Sequence, residues 1–179
     1  MDTELKALFG SWVQAIGTTL SAIGSTPSTK IADALQYQFN LWGNVLQATG
    51  NSLIADSEMT LTLDKIGNEI QAIGNVTLIV AALINFNEST KQDLVIRGNL
   101  LQATGGGVSL ADTLGNEPSI KELYSIYGNL LQVIGNSLQA ISGINEKAGN
   151  LEQNLDTIGS WIQAVGSIIS AIGQSKYTK

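Results

Sequence analysis

Few residues in this 179-residue chain could do chemistry. There is no His and no Cys, so Ser-His-Asp relays, imidazole metal sites and thiol chemistry have no starting material. No GxxxxGK phosphate loop is present. Gly105-Gly106-Gly107 is rich in glycine but has no Lys beside it and no strand pattern; it reads as a loop or a helix break. Glu122, Glu152 and Asp156 could pair as two-carboxylate chemistry requires, yet they sit among connecting residues and read as solvated acids. Asn75-Val-Thr77 and Asn87-Glu-Ser89 match glycosylation sequons, with no secretory signal to bring them into use. Trp12, Trp42 and Trp161 read as core or interface anchors rather than a ligand cage. No catalytic, cofactor-binding or metal-binding residue is assigned. No small-molecule substrate is expected, and the chain does not read as an enzyme.

What does recur is a set of carboxamides at fixed spacing. Gln14, Gln47, Gln71, Gln102, Gln132 and Gln163 each sit four residues after a glycine and three before another Gly or its register equivalent. The phrases run Gly10-SWVQAI-Gly17, Gly43-NVLQAT-Gly50, Gly67-NEIQAI-Gly74, Gly98-NLLQAT-Gly105, Gly128-NLLQVI-Gly135 and Gly159-SWIQAV-Gly166. Their first glycines are 33, 24, 31, 30 and 31 residues apart, so six units of roughly 31 residues cover the chain as a single domain over 1–179. Most units continue into a second heptad, as in Gly17-TTLSAI-Gly24 and Gly166-SIISAI-Gly173.

The seven-residue period decides the element. An odd repeat flips faces at each copy of a strand, whereas a helix returns nearly to register. With Gly at 0° and 100° per residue, Gln falls near 40°, Asn or Ser near 100° and Ala near 140°; the bulky apolar places gather between roughly 200° and 300°. One side of each helix is therefore large and apolar, the other small, amide-rich and uncharged. A β-solenoid with coils in multiples of seven is the competing reading. The breaks favour helices. Ser25-Thr-Pro27-Ser-Thr29 offers N-caps, and Asp56-Ser-Glu58, Asn85 to Thr90, Gly115 to Ser119 (with Pro118 in a first helical turn) and Ser142-Gly143 to Asn150 follow the later units. The expected fold is all-α: a six-helix up-down repeat bundle with one Gly-heptad helix per repeat and antiparallel neighbours.

Fourteen of the 19 glycines lie in the heptad register. At about 1 kcal/mol each relative to Ala, they would cost on the order of 10 kcal/mol, comparable to a domain's net stability. The expected return is close backbone approach between helices. Gly10, Gly17, Gly43, Gly50, Gly67, Gly74, Gly98, Gly128, Gly135, Gly159 and Gly166, with the six glutamines and with Trp12 and Trp161, form the expected packing or interface set. Across the six first heptads only Glu69 is charged. Solvated faces use Lys and Glu freely, so an uncharged amide face reads as a contact, within the molecule or between copies. Charges gather in the connections, which implies charged ends around an uncharged waist. The first and last units resemble each other closely; they could close the bundle or extend it between copies.

Charged residues are 13% of the chain, about half the usual share. The net charge of −6 disfavours nucleic acid as a partner. Met1 to Lys6 lacks a basic-then-apolar signal, so synthesis in the cytoplasm is expected. Membrane action is the rival reading. Ala7–Thr29, Ile70–Asn87 and Thr157–Ser175 carry no charge and approach spanning length. Against it stand the recurrent Gln and Asn, a mean hydropathy of only +0.15, and sparse Lys and Arg.

The phrases GNxLQAxGNSLQAI and GSWIQAVGSIISAIG resemble a family of repetitive proteins of unknown function from Bacillus and related spore-formers. The resemblance covers all six units and transfers no catalytic residue or cofactor. It implies a spore or cell-surface setting. The sequence-level expectation is a non-enzymatic, self-associating structural protein that packs through its uncharged Gly/Asn/Gln face, with membrane or lipid interaction as the alternative.

Overall fold

A computed structural model describes residues 2–150 and 154–178. Among the described residues there are six helices and no strands. They are α1 (Thr3–Gly24), α2 (Asp33–Ser57), α3 (Leu63–Leu83), α4 (Glu88–Gly115), α5 (Ile120–Lys147) and α6 (Leu155–Tyr177). Each helix packs against its chain neighbours, and α1 packs against α6, so the six close into a ring. No helix runs down the middle; side chains from all six line the axis. The α1–α6 seam is stitched by Trp12 Nε1 donating to Ser175 Oγ (2.8 Å) and Trp161 Nε1 donating to Thr26 Oγ1 (2.9 Å). Thr157 Oγ1 also donates to the Ser25 carbonyl (2.6 Å).

The glycines act in pairs across three hairpins. A Cβ placed on Gly17 would lie 2.7 Å from the Gly43 carbonyl oxygen, and one on Gly50 would lie 2.6 Å from the Gln14 nitrogen and the Gly10 oxygen. In α3–α4, Gly74 faces Gly98 and Gly67 faces Gly105; in α5–α6, Gly135 faces Gly159 and Gly128 faces Gly166. Backbone touches backbone in each case, which a side chain would prevent. These registers run in opposite directions, so each hairpin is antiparallel.

Three local expectations are corrected. Gly105-Gly106-Gly107 does not break α4, which runs through it. Gly105 is needed against the Gly67 backbone and Gly106 sits against Val133, while tertiary packing outweighs the weak helix propensity of the run. α5 likewise continues past Ser142-Gly143 to Lys147, with Gly143 fitted against Ile96. No Ser or Thr of residues 25–29 caps α2, which starts after Ala32 without a side-chain cap. Caps do form at Thr62, Asn87 and Ser119, whose side-chain oxygens accept from the backbone N–H three residues on. Pro118 lies just outside α5.

The distribution of side chains is the unusual feature. The buried apolar residues among those described are seven alanines, against nineteen buried Ser, Thr, Asn and Gln. No Leu, Ile, Val, Phe, Met or Trp is among them. Twenty-eight large hydrophobic side chains are exposed, and all six helices contribute to them. Phe9, Ile16, Trp42, Ile73, Leu100, Tyr127, Ile134 and Trp161 all face outward. The interior is polar and small; the exterior is apolar and large.

Candidate functional site

The heptad glycine that lets two helices touch also brings the Gln four residues on to the ring's inside. All six repeat glutamines are buried, at 2–5% exposure. They form two tiers. Gln14, Gln71 and Gln132, from α1, α3 and α5, line one axial chamber; Gln47, Gln102 and Gln163, from the even helices, line another. Gln163 is the hub of the second tier. Its Nε2 donates to Gln47 Oε1 (2.9 Å) and to Gln102 Oε1 (3.1 Å), and its Oε1 accepts from Gln139 Nε2 (3.1 Å). In the first tier Gln14 Nε2 donates to Gln132 Oε1 (3.0 Å) and to Asn51 Oδ1 (2.6 Å). These bonds are made in a desolvated setting, where each matters more than in water.

The second-tier chamber has a volume of about 300 Å³. Ser21, Ser25, Asn40, Asn44, Asn99, Gln139, Ser160, Asp156 and Lys91 share its lining with the three glutamines. The first-tier chamber is about 200 Å³ and is edged by Glu58, Asp64, Asp112, Glu122 and Lys121. Asp64 and Asp156 sit in the first turns of α3 and α6, beyond the charge-free runs Ile70–Asn87 and Thr157–Ser175. Burial pushes the Asp156 carboxyl up to about 6, with Glu146 adding to the effect. Burial pushes Asp64 up to about 6 as well, against hydrogen bonding from Ser109, which lowers it. Asp156 is half-buried, so it is only partly the solvated acid that its place in a connection implied. Glu122 edges the other chamber, and Glu152 lies outside the described residues.

Not every buried amide is satisfied. Asn75 Oδ1, Asn99 Oδ1 and both polar atoms of Asn136 meet no partner among the described residues. Asn68 and Asn75 instead donate back to carbonyls one turn earlier, at Asp64 and Gln71.

The packing set inferred from sequence divides in two. The eleven glycines and six glutamines come together inside the ring. Trp12 and Trp161 do not: both are about 40% exposed on the outer surface, with only their indole N–H groups tied down. Asp156 and Gln139, which lie outside the repeated Gln position, are the site residues that sequence reasoning missed. Asn99 occupies the position that is Asn in four units and was visible as such; nothing in the pattern marked Asp156.

The arrangement presents carboxamides, hydroxyls and carboxyls to two partly open axial chambers. It can hold a polar solute or ion by hydrogen bonds and carbonyl dipoles. A profile of a family of unknown function (DUF6944) matches residues 5–171, so the chain belongs to that family. No curated protein and no solved structure matches the chain.

Proposed function

We propose that this protein is a non-enzymatic, membrane-embedded helical bundle whose apolar exterior contacts acyl chains around its full circumference. The inverted distribution of side chains carries this reading. In water, burying apolar surface is the main drive for folding, yet here the large apolar side chains are outside and the polar ones inside. A cyclic oligomer covers one or two patches of each copy. A hydrophobic coat on all six helices calls for a surrounding solvent of its own kind.

Length and charge support the same reading. The helices are 21–28 residues long, roughly 32–42 Å, against a hydrocarbon core of about 30 Å. α3 and α6 are apolar enough to span by composition alone, and only 39% of their most apolar windows is buried, unlike the core helix of a water-soluble protein. The other four are not apolar enough by that measure. Glycine rows and amides bonded between helices are how bilayer helices associate. Two outer charges run against full immersion: Glu69 in the second turn of α3 and Arg97 in the third turn of α4. Arg97 is nine residues, roughly 13 Å, along a roughly 42 Å helix, within reach of the headgroups by extension of its long side chain.

Glu69 and Arg97 also favour a second reading. Both lie on α3 and α4, the sector where a further copy would find polar partners, so self-association would use this outer surface. The Gly/Gln face is turned inward and is not available to another copy. We read the six helices as copies of one Gly-heptad unit, and the resemblance seen in sequence adds a spore or cell-surface membrane as the setting. Flotation of the purified protein with liposomes, followed by an alkaline wash, tests the proposal. The protein stays with the vesicles at high pH under this reading. Release of the whole population into the soluble fraction would overturn it.

A further inference from the structure

We propose that the chamber between the Gln47–Gln102–Gln163 tier and the Asp156 end of the ring binds a small monovalent cation. The inference goes beyond the membrane reading and needs only this half-open chamber. Asn99 is 3% exposed, lines this chamber, and keeps a carbonyl oxygen with no partner. Leaving such an atom buried and unmet costs about 1–3 kcal/mol, so it calls for a donor or a cation. The amide N–H groups of Gln47 and Gln163 are engaged elsewhere. Gln163 spends both Oε1 acceptors of its neighbours, and Gln47 Nε2 donates to Ser21 Oγ (3.0 Å).

Asp156 lines the same chamber. Its carboxyl is partly withdrawn from water, and among the described residues the charged group that acts on it is Glu146, of its own sign. Lys91 is the one basic side chain in the lining, and among the described residues it makes no ion pair with Asp156. A negative group without a counter-charge and a buried carbonyl without a donor therefore share one space. An anion is refused by Asp156. A divalent ion held by protein would ask for several carboxylates, and Asp156 is the one carboxylate in this chamber's lining. Carbonyl and hydroxyl oxygens with a single carboxylate suit an ion that sheds its hydration readily, such as potassium or ammonium.

The test uses the full chain in detergent micelles at pH 7.5. Its thermal midpoint is followed by circular dichroism as N-methylglucamine chloride is replaced by potassium chloride at constant ionic strength. The midpoint rises and saturates, as expected when a ligand binds the folded state alone. Asn99→Leu and Asp156→Asn lose the rise, and Asp64→Asn, in the other chamber, keeps it. Equal midpoints in the two salts, or a rise that persists in both chamber variants, would overturn the site. Should those variants not fold, titration calorimetry of potassium chloride into the unaltered protein decides: one saturating isotherm supports the site, and a flat one removes it. A flat isotherm from a protein that survives the alkaline wash would sink the cation site and leave the membrane reading standing.

Discussion

Replacing Gly50 and Gly107 by alanine should move stability in opposite directions. Both glycines lie inside long helices, and both changes gain about 1 kcal/mol of helix propensity. At Gly107 a new Cβ meets nothing within 4 Å, so Gly107→Ala should raise stability by about 0.5–1 kcal/mol. At Gly50 the new Cβ would lie 2.6 Å from the Gln14 nitrogen and the Gly10 oxygen. Ordinary contact is nearer 3.5 Å, so α1 and α2 must part by most of an ångström. The obstructing atoms are backbone and cannot rotate away. Overpacking of this kind costs about 1–3 kcal/mol or more, and parting α1 from α2 also disturbs the Gln14 hydrogen bonds. We expect Gly50→Ala to be destabilised by about 1–3 kcal/mol net, and Gly17→Ala, which meets the Gly43 oxygen at 2.7 Å, to match it. Thermal unfolding followed at 222 nm in micelles reads all three. If Gly50→Ala and Gly17→Ala gain stability as Gly107→Ala does, the close backbone contact is wrong.

Three further outcomes follow from the same geometry. Gln163→Leu strips the hub of the second tier and leaves Gln47 and Gln102 with unmet buried oxygens, so it should cost about 2–4 kcal/mol in the same unfolding assay. Asp156 is held near 6 in the fold and near 3.8 in the unfolded chain; its proton is therefore favoured by folding, stability is lost as pH rises from about 4 to 6, and Asp156→Asn should flatten that slope in cation-free buffer and gain about 2 kcal/mol at pH 7. Ile134, on the outer face of α5 and 40% exposed, lies mid-way along a charge-free run from Leu123 to Asn145. Ile134→Lys should lower the membrane-inserted fraction by about 2–3 kcal/mol, whereas on a water-facing surface the change would stay within about 0.5 kcal/mol.

The helices, their number and most of the breaks were legible because a seven-residue recurrence fits one element and fails another. The role of the heptad glycines was legible for a similar reason: a helix penalty retained at fixed register implies close approach, and Gly17 against Gly43 is such an approach. The absence of charge beside Gln14 or Gln102 marked the amide face as a contact. What could not be read was which face turned inward. Both faces of most helices lack charge through their middles, and an angular map has no solvent in it; only the closure of α1 on α6 fixes the amides at the axis and Trp12 and Trp161 outside. The continuity of α4 through Gly105-Gly106-Gly107 was hidden because local propensity opposes it and a tertiary contact with Gly67 supplies the compensation. Asp156 was hidden because it stands in no repeat position, and its burial comes from the ring rather than from its neighbours in sequence.

The central claim is that lipid covers the outside of this ring. Trp12, Trp42 and Trp161 are 40%, 57% and 42% exposed on that outer surface, and they are the chain's only tryptophans. Their fluorescence, with the protein reconstituted into vesicles whose acyl chains carry bromine, tests it most directly. Strong quenching by the brominated chains, with little quenching by aqueous iodide, is the result expected. Emission untouched by bromine and quenched by iodide would place those side chains in water and contradict the account.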